Sequence, residues 1–239
     1  MRTTSRSHCE LSLLTILLRH WSSVGMSFFK ILWGISLHFL QAVASQTIPE
    51  FDWASVRCPQ SALETLPTPT YGSSGGLFTV CTELIFNAPA VEIYHALLDF
   101  QAYSSFSSFV IDIELPPQIR KTPDDVFLGL EMTFTTRDIF PIINTTSLEI
   151  VTVMENSTDG EYMMTSWRYD DKLGGMFSRS EHPSILVEQS DGATRYISFE
   201  TYYNDPGTYL LLPVRKQLQE GYARHGADLK AYVEGLWRG

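Results

Sequence analysis

Residues 77–100 read LFTVCTELIFNAPAVEIYHALLDF, and this stretch decides the fold. Its first half is rich in β-formers and alternates. Val80, Thr82, Leu84 and Phe86 share one face; Cys81, Glu83 and Ile85 share the other. Asn87-Ala88-Pro89 then changes the local rule. Asn caps a helix well, and Pro suits a first turn, where its missing N–H had no partner. From Ala90 to Leu98 the spacing is helical: Val91, Tyr94 and Leu98 lie on one face, with Ile93 and Leu97 beside them. Residues 101–106 read as a second short helix or turn.

A run of strands follows. In 109–115, Phe109, Ile111, Ile113 and Leu115 alternate with Val110, Asp112 and Glu114, and Pro116-Pro117 ends the strand. In 127–140, Leu128, Leu130, Met132 and Phe134 oppose Gly129, Glu131, Thr133 and Thr135. Residues 146–154, 162–168, 184–189 and 194–203 complete six strands after the helices, and the turns at 156–160 and 190–192 carry hairpin chemistry. The chain closes on a helix over about 209–236, whose stripe runs Leu211, Val214, Leu218, Tyr222, His225, Leu229, Val233, Leu236. Pro213 is tolerated in its first turn. The expected architecture is α+β: a seven-stranded antiparallel sheet wrapped around one long C-terminal helix. At 1.5 Å per residue, ~28 residues reach about 42 Å, enough to cross such a sheet. One helix does not fill a wide, curved sheet, so a gap lined by inward side chains is expected, a natural apolar ligand pocket.

This order of elements resembles the START-like, or SRPBCC, superfamily with its helix-grip fold, nearest to its polyketide cyclase/dehydrase-like and pollen-allergen-like branches. The resemblance rests on residues 86–100, followed by Tyr103 and Phe106, on Trp167-Arg168 at a strand end, and on residues 227–234 of the last helix. It covers about 77–236. Phe106 stands where many relatives carry Trp, and a secretory-like leader is unusual for the family. The resemblance implies a small hydrophobic or aromatic ligand and, in the cyclase-like branch, cofactor-independent lyase or isomerase chemistry in polyketide or other secondary-metabolite biosynthesis. No catalytic motif runs through the superfamily, and fold alone does not fix function.

Within the expected pocket, His225 is a candidate acid or base, because an imidazole titrates near pH 6.5. The alternative is a core or helix-surface histidine satisfied by one hydrogen bond. Tyr222, a turn earlier, offers a hydroxyl or plain packing. In 194–203 the more apolar set, Ile197, Phe199, Thr201 and Tyr203, is expected to face the helix, with Glu200 outward; a register shift of one residue exchanges the sets. Tyr203 therefore joins the catalytic candidates. Met132, Phe134, Ile150, Trp167 and Phe199 are expected to line the cavity, as ligand contacts or as plain core. Arg137-Asp138, Arg168 and Glu181-His182 lie near strand ends, where a charge such as Arg168 orients a ligand carbonyl or carboxylate, or is simply solvated. The sequence has no Gly-x-Ser-x-Gly elbow, P-loop, Gly-x-Gly-x-x-Gly or His-Glu-x-x-His motif, leaving the usual hydrolase, kinase, dehydrogenase and zincin chemistries without support. No cofactor and no metal site are expected.

The 239 residues carry a net charge of −10, which opposes phosphate binding and disfavours a nucleic-acid partner. A hydrophobic fraction of 44% is incompatible with a disordered chain. Residues 1–44 differ from the rest, with Arg2, Arg6, Arg19 and Lys30 against Glu10 alone. Met26 to Lys30 form a basic n-region, 31–40 an apolar segment, and Ala42-Val43-Ala44 a cleavage pattern, so 26–44 reads as a secretory signal with 1–25 upstream of it. The alternative is an uncleaved or amphipathic leader on a cytoplasmic or membrane-anchored protein. Neither apolar run of the leader reaches the ~20 residues of a spanning helix. Asn144 and Asn156 head glycosylation sequons, in agreement with export. Cys58 and Cys81 either pair, tying an irregular arm (45–76) to the first strand of the ligand-binding domain (77–239), or stand as two thiols. A secreted lipid or sterol carrier without catalysis is the second functional reading. A glycosylated surface protein that binds other proteins, its cavity filled, is the third.

Overall fold

The computed structural model describes residues 51–156, 161–169, 171, 173 and 175–237. The leader lies outside the described residues. The chain divides into Met1–Phe51 and Asp52–Gly239, and the fold is that of the second unit.

Seven antiparallel strands form one sheet in the order β1-β7-β6-β5-β4-β3-β2. They are β1 (Gly76–Phe86), β2 (Val110–Glu114), β3 (Glu131–Phe140), β4 (Ile143–Glu155), β5 (Met163–Tyr169), β6 (Ser180–Glu188) and β7 (Thr194–Tyr203). From β2 to β7 each strand pairs with its successor, and β7 then pairs with β1. Helix α1 (Ala90–Leu98), a 3-10 turn (Phe100–Ala102) and α2 (Tyr103–Phe106) carry the chain from β1 to β2. The final rod begins as a 3-10 turn, Thr208–Val214, and continues as α3, Arg215–Trp237. Pro213 lies inside the 3-10 segment. The sheet curls as a half-barrel around this rod: the helix-grip fold.

Bulges set the curl. Register shifts at Val110/Asp112 and Val151/Val153 leave an unpaired residue and bend the strands. The predicted strand at 127–140 starts later, at Glu131, after Gly129 turns at φ +87°. The predicted strand at 184–189 starts earlier, at Ser180.

The rod is held by polar side chains as well as by its stripe. An edge strand leaves backbone groups open, and α3 satisfies several on β1. The Gln219 amide accepts from Cys81 N (3.0 Å) and donates to Cys81 O (2.7 Å), and Lys230 Nζ donates to Ile85 O (2.7 Å). Near β2, Asp228 accepts from the Ser108 amide (2.7 Å) and hydroxyl (2.6 Å). Gly221 permits a close approach, since a Cβ there would lie 2.3 Å from the Phe109 ring.

Both faces of the sheet are covered. The inner face carries the main core, with Phe78, Val80, Phe86 and Tyr196 buried against Ile93, Leu97, Leu218 and Leu229. The outer face carries a second core, in which Met164, Ile185, Ile197 and Phe199 pack with Val56, flanked by Trp53 and Leu66. Residues 52–76 make that cover. A disulfide joins Cys58 to Cys81, with Cα atoms 5.6 Å apart. The buried Arg195 guanidinium donates to Val56 O (2.9 Å) and to Ala54 O. The buried Glu181 carboxylate accepts from the Thr70 amide and hydroxyl (both 2.8 Å) and from Thr152 (2.7 Å).

Candidate functional site

Between the inner face and the rod lies a cavity of about 350 Å³. Its walls are largely aromatic, with Tyr103, Phe109, Phe134, Trp167, Tyr202 and Tyr222 contributing rings. Phe100, Phe134 and Trp167 pack with centroids 5.7–6.1 Å apart, in the tilted and edge-on geometries aromatic rings prefer. Phe177, Leu210 and Leu211 also line it; Phe177 and Leu210 are substantially exposed.

Polar side chains from three strands, β4, β6 and β7, and from the rod meet inside this apolar shell. Ser184 Oγ donates to Ser198 Oγ (3.1 Å), which lies 2.6 Å from His182 Nε2. His182 Nδ1 is 3.2 Å from the Tyr222 hydroxyl. Tyr222 donates to Glu200 Oε2, and Tyr202 donates to the same oxygen (2.7 Å). Tyr222 has one proton and gives it to Glu200, so it accepts from His182 Nδ1–H. His182 Nε2 then accepts from Ser198. Every donor in the chain points towards Glu200, an arrangement that stabilises negative charge there. Glu149 on β4 shares the cavity. Burial, then the Glu200 charge, pushes its carboxyl well above the usual carboxylate range. Burial raises Glu200 too, but hydrogen bonds from Ser180, Tyr222 and Tyr202 oppose the rise. The charge the pair carries therefore belongs on Glu200, with Glu149 neutral.

The two histidines of the cavity are held neutral. Burial lowers His182 to about 3, helped by His225, and lowers His225 to about 4 against the opposing pull of Asp228. Ser107 Oγ accepts from the amides of Phe109 (3.3 Å) and Val110 (3.0 Å) and sits 2.9 Å from His225 Nδ1. With its lone pairs used, the serine donates to Nδ1, which places the imidazole proton on Nε2.

Of the predicted site residues, His225, Tyr222, Phe134 and Trp167 stand on the cavity wall. Met132 is buried in the main core beside it, not on the wall. Several expectations are corrected. Tyr203 and Phe199 lie on the outer face: Tyr203 donates to Gly72 O (2.6 Å), and Phe199 belongs to the second core. Glu200, expected outward, points in. Arm residues cover the outer set of β7, so apolarity no longer distinguishes the faces. Ile150 turns outward between the inward Glu149 and Val151. Arg168 stands beside Tyr71 of the arm rather than at the cavity, and Glu181 is buried outside. Asp138 pairs with Arg224 (2.9 Å) at the surface. Glu149 and Glu200 were missed as site residues, and His182 was read as a residue of the mouth. Their signal was polar residues recurring at alternate positions of neighbouring strands. Among the described residues no cluster of His, Cys, Asp or Glu could hold a metal.

No protein-family model and no curated protein matches the sequence. Solved structures do. A hypothetical protein from Helicobacter pylori aligns at 15% identity over 75% of this chain and 96% of its own, with a TM-score of 0.54. A protein from Thermus thermophilus aligns at 17% identity over 66% of this chain and 98% of its own, with a TM-score of 0.50. A norcoclaurine synthase from Thalictrum flavum aligns at 12% identity, 66% and 95% coverage and a TM-score of 0.49. At these identities the likeness is one of fold. That fold is the helix grip, a curled antiparallel sheet around a long C-terminal helix.

Proposed function

We propose that the protein binds a small hydrophobic molecule in the cavity between sheet and rod and moves a proton on it without a cofactor. The observation that carries this reading is a 350 Å³ aromatic-walled space with a carboxyl pair and two neutral imidazoles inside. Apolar walls supply affinity, and a few convergent polar groups supply orientation. Glu200 is the base, Glu149 the acid, and a bound flexible chain is held in a reactive fold by the aromatic walls. The cyclase/dehydratase-type chemistry implied by the sequence resemblance fits these parts. A lipid or sterol carrier would need the cavity but not the carboxyl pair.

An extracellular or secretory setting belongs to the same reading. It is supported by the leader pattern at 26–44, the Cys58–Cys81 disulfide and exposed Asn144 and Asn156. Mass spectrometry of the protein from its native source tests it through cleavage after Ala44, sugars at the two asparagines and any bound small molecule.

Binding is tested with N-phenyl-1-naphthylamine, a neutral apolar fluorophore. The wild type enhances its fluorescence saturably, and Trp167→Ala weakens binding about tenfold or more through lost ring contact. Phe199→Ala, on the other face, leaves affinity unchanged below its melting temperature. Equal affinities in wild type and Trp167→Ala would remove the cavity from the function.

A further inference from the structure

The cavity's charge balance is incomplete within the protein. Two carboxyls, Glu149 and Glu200, line it, and no Lys or Arg does so among the described residues. The two imidazoles supply no positive charge, since burial keeps both neutral well below pH 7. Elsewhere the chain does provide partners for its acids. Glu83 pairs with Arg57, Asp205 with Arg179 (2.9 Å) and Asp138 with Arg224 (2.9 Å). Inside the cavity the Glu200 carboxylate has only hydroxyl donors among the described residues, and a buried charge without a counter-charge is costly. Around it stand Trp167, Phe134 and Tyr202, whose ring faces attract cations.

Resting on the reading of the cavity as a ligand site, we propose that its ligand is an amphiphilic amine: an apolar, aromatic body carrying a protonated nitrogen. The ammonium pairs with Glu200, whose hydrogen-bond chain holds the negative charge in place, and Glu149 accepts a second N–H. The body of the molecule lies between Trp167 and Phe134. An anionic ligand meets two acidic side chains with no cation to receive it. A neutral ligand of the same shape keeps the ring contacts and gains no ion pair.

The test displaces N-phenyl-1-naphthylamine at pH 7 with three ligands of one shape: 2-naphthylmethylamine, 2-naphthalenemethanol and 2-naphthylacetate. In the wild type the amine is expected to displace the fluorophore at a concentration at least tenfold below the alcohol, and the carboxylate to be the weakest. Glu149→Gln/Glu200→Gln removes both carboxyls, and with them the charge, while keeping the shape. In it the amine loses its advantage and the alcohol stays within about threefold, which also shows the cavity intact. An alcohol equal to the amine in the wild type overturns the proposal, with no need of the variant. So does an amine preference that survives in the variant. A fluorophore that never enters the wild type brings down the cavity reading itself, and the amine with it.

Discussion

The two faces of the sheet are built from the same strands by opposite rules. On the outer face, charged groups are tied to the protein's own chain: Arg195 to carbonyls of the arm, Glu181 to hydroxyls and an amide, Arg57 to Glu83. Apolar side chains fill the remaining space, and the Cys58–Cys81 disulfide fastens the cover. On the inner face the carboxyls lack cationic partners among the described residues, the histidines are neutral, and space is left between the rings. Strand β7 shows the contrast most directly, sending Phe199 and Tyr203 one way and Glu200 and Tyr202 the other. A face that satisfies itself is structural. One that leaves polar groups unbalanced around a void is consistent with a small molecule bound there, the reading proposed above.

The largest effects should separate the faces. Phe199 is fully buried in the second core. Phe199→Ala removes a ring and leaves a void, a change that costs about 3–5 kcal/mol. Urea unfolding should show that loss while fluorophore affinity is retained. If affinity falls in proportion to stability, the faces are energetically one unit. Opening the cover is the next largest change. Cys58 and Cys81 are 23 residues apart in sequence, so their bridge restrains a loop of moderate length in the unfolded chain. Cys58→Ser/Cys81→Ser should lower stability by about 3 kcal/mol. Limited proteolysis should then cut within 52–76 before the sheet. Simultaneous loss of all segments would show that the arm and sheet unfold together.

Much of this fold was legible. The change of period at Asn87-Ala88-Pro89 marks the end of β1 at Phe86 and the start of α1 at Ala90, because strand and helix leave different spacings in the chain. The stripe of the last helix was equally direct, and it brought Tyr222 and His225 to the cavity. Facing was less legible. Alternation divides β7 into two sets, but choosing the inner one assumed a single covered face. The arm, irregular and broken by Pro59, Pro67 and Pro69, carries little periodic signal, yet it buries Val56 and covers Phe199. The same inversion hid Glu200. Glu149 was hidden because a carboxylate on an alternating strand ordinarily faces water. Only the cavity, a property of all seven strands and the rod together, brings it inside.

The smallest effect is the dependence of stability on acid, and it distinguishes the faces again because the cavity holds the displaced imidazoles. His225 titrates near 6.5 unfolded and at about 4 folded. Between those values the unfolded chain binds the extra proton, so its stabilising contribution is whole above about 6.5 and is lost as the pH falls towards 4. At pH 5 that loss is about 2 kcal/mol. Glu149 and Glu200 act in the opposite sense: raised carboxyls contribute fully below about 4.5 and lose the contribution as the pH rises through their folded values. A single melting curve mixes the two, so the comparison is between wild type and His225→Gln, which keeps a hydrogen-bonding group near Ser107 and cannot titrate. The wild-type advantage in unfolding free energy should shrink by about 2 kcal/mol between pH 7.5 and pH 5. Parallel curves across that interval would mean that His225 reaches solvent in the folded protein, and the rod would then not close the cavity as its packing against Ser107 and Tyr103 requires.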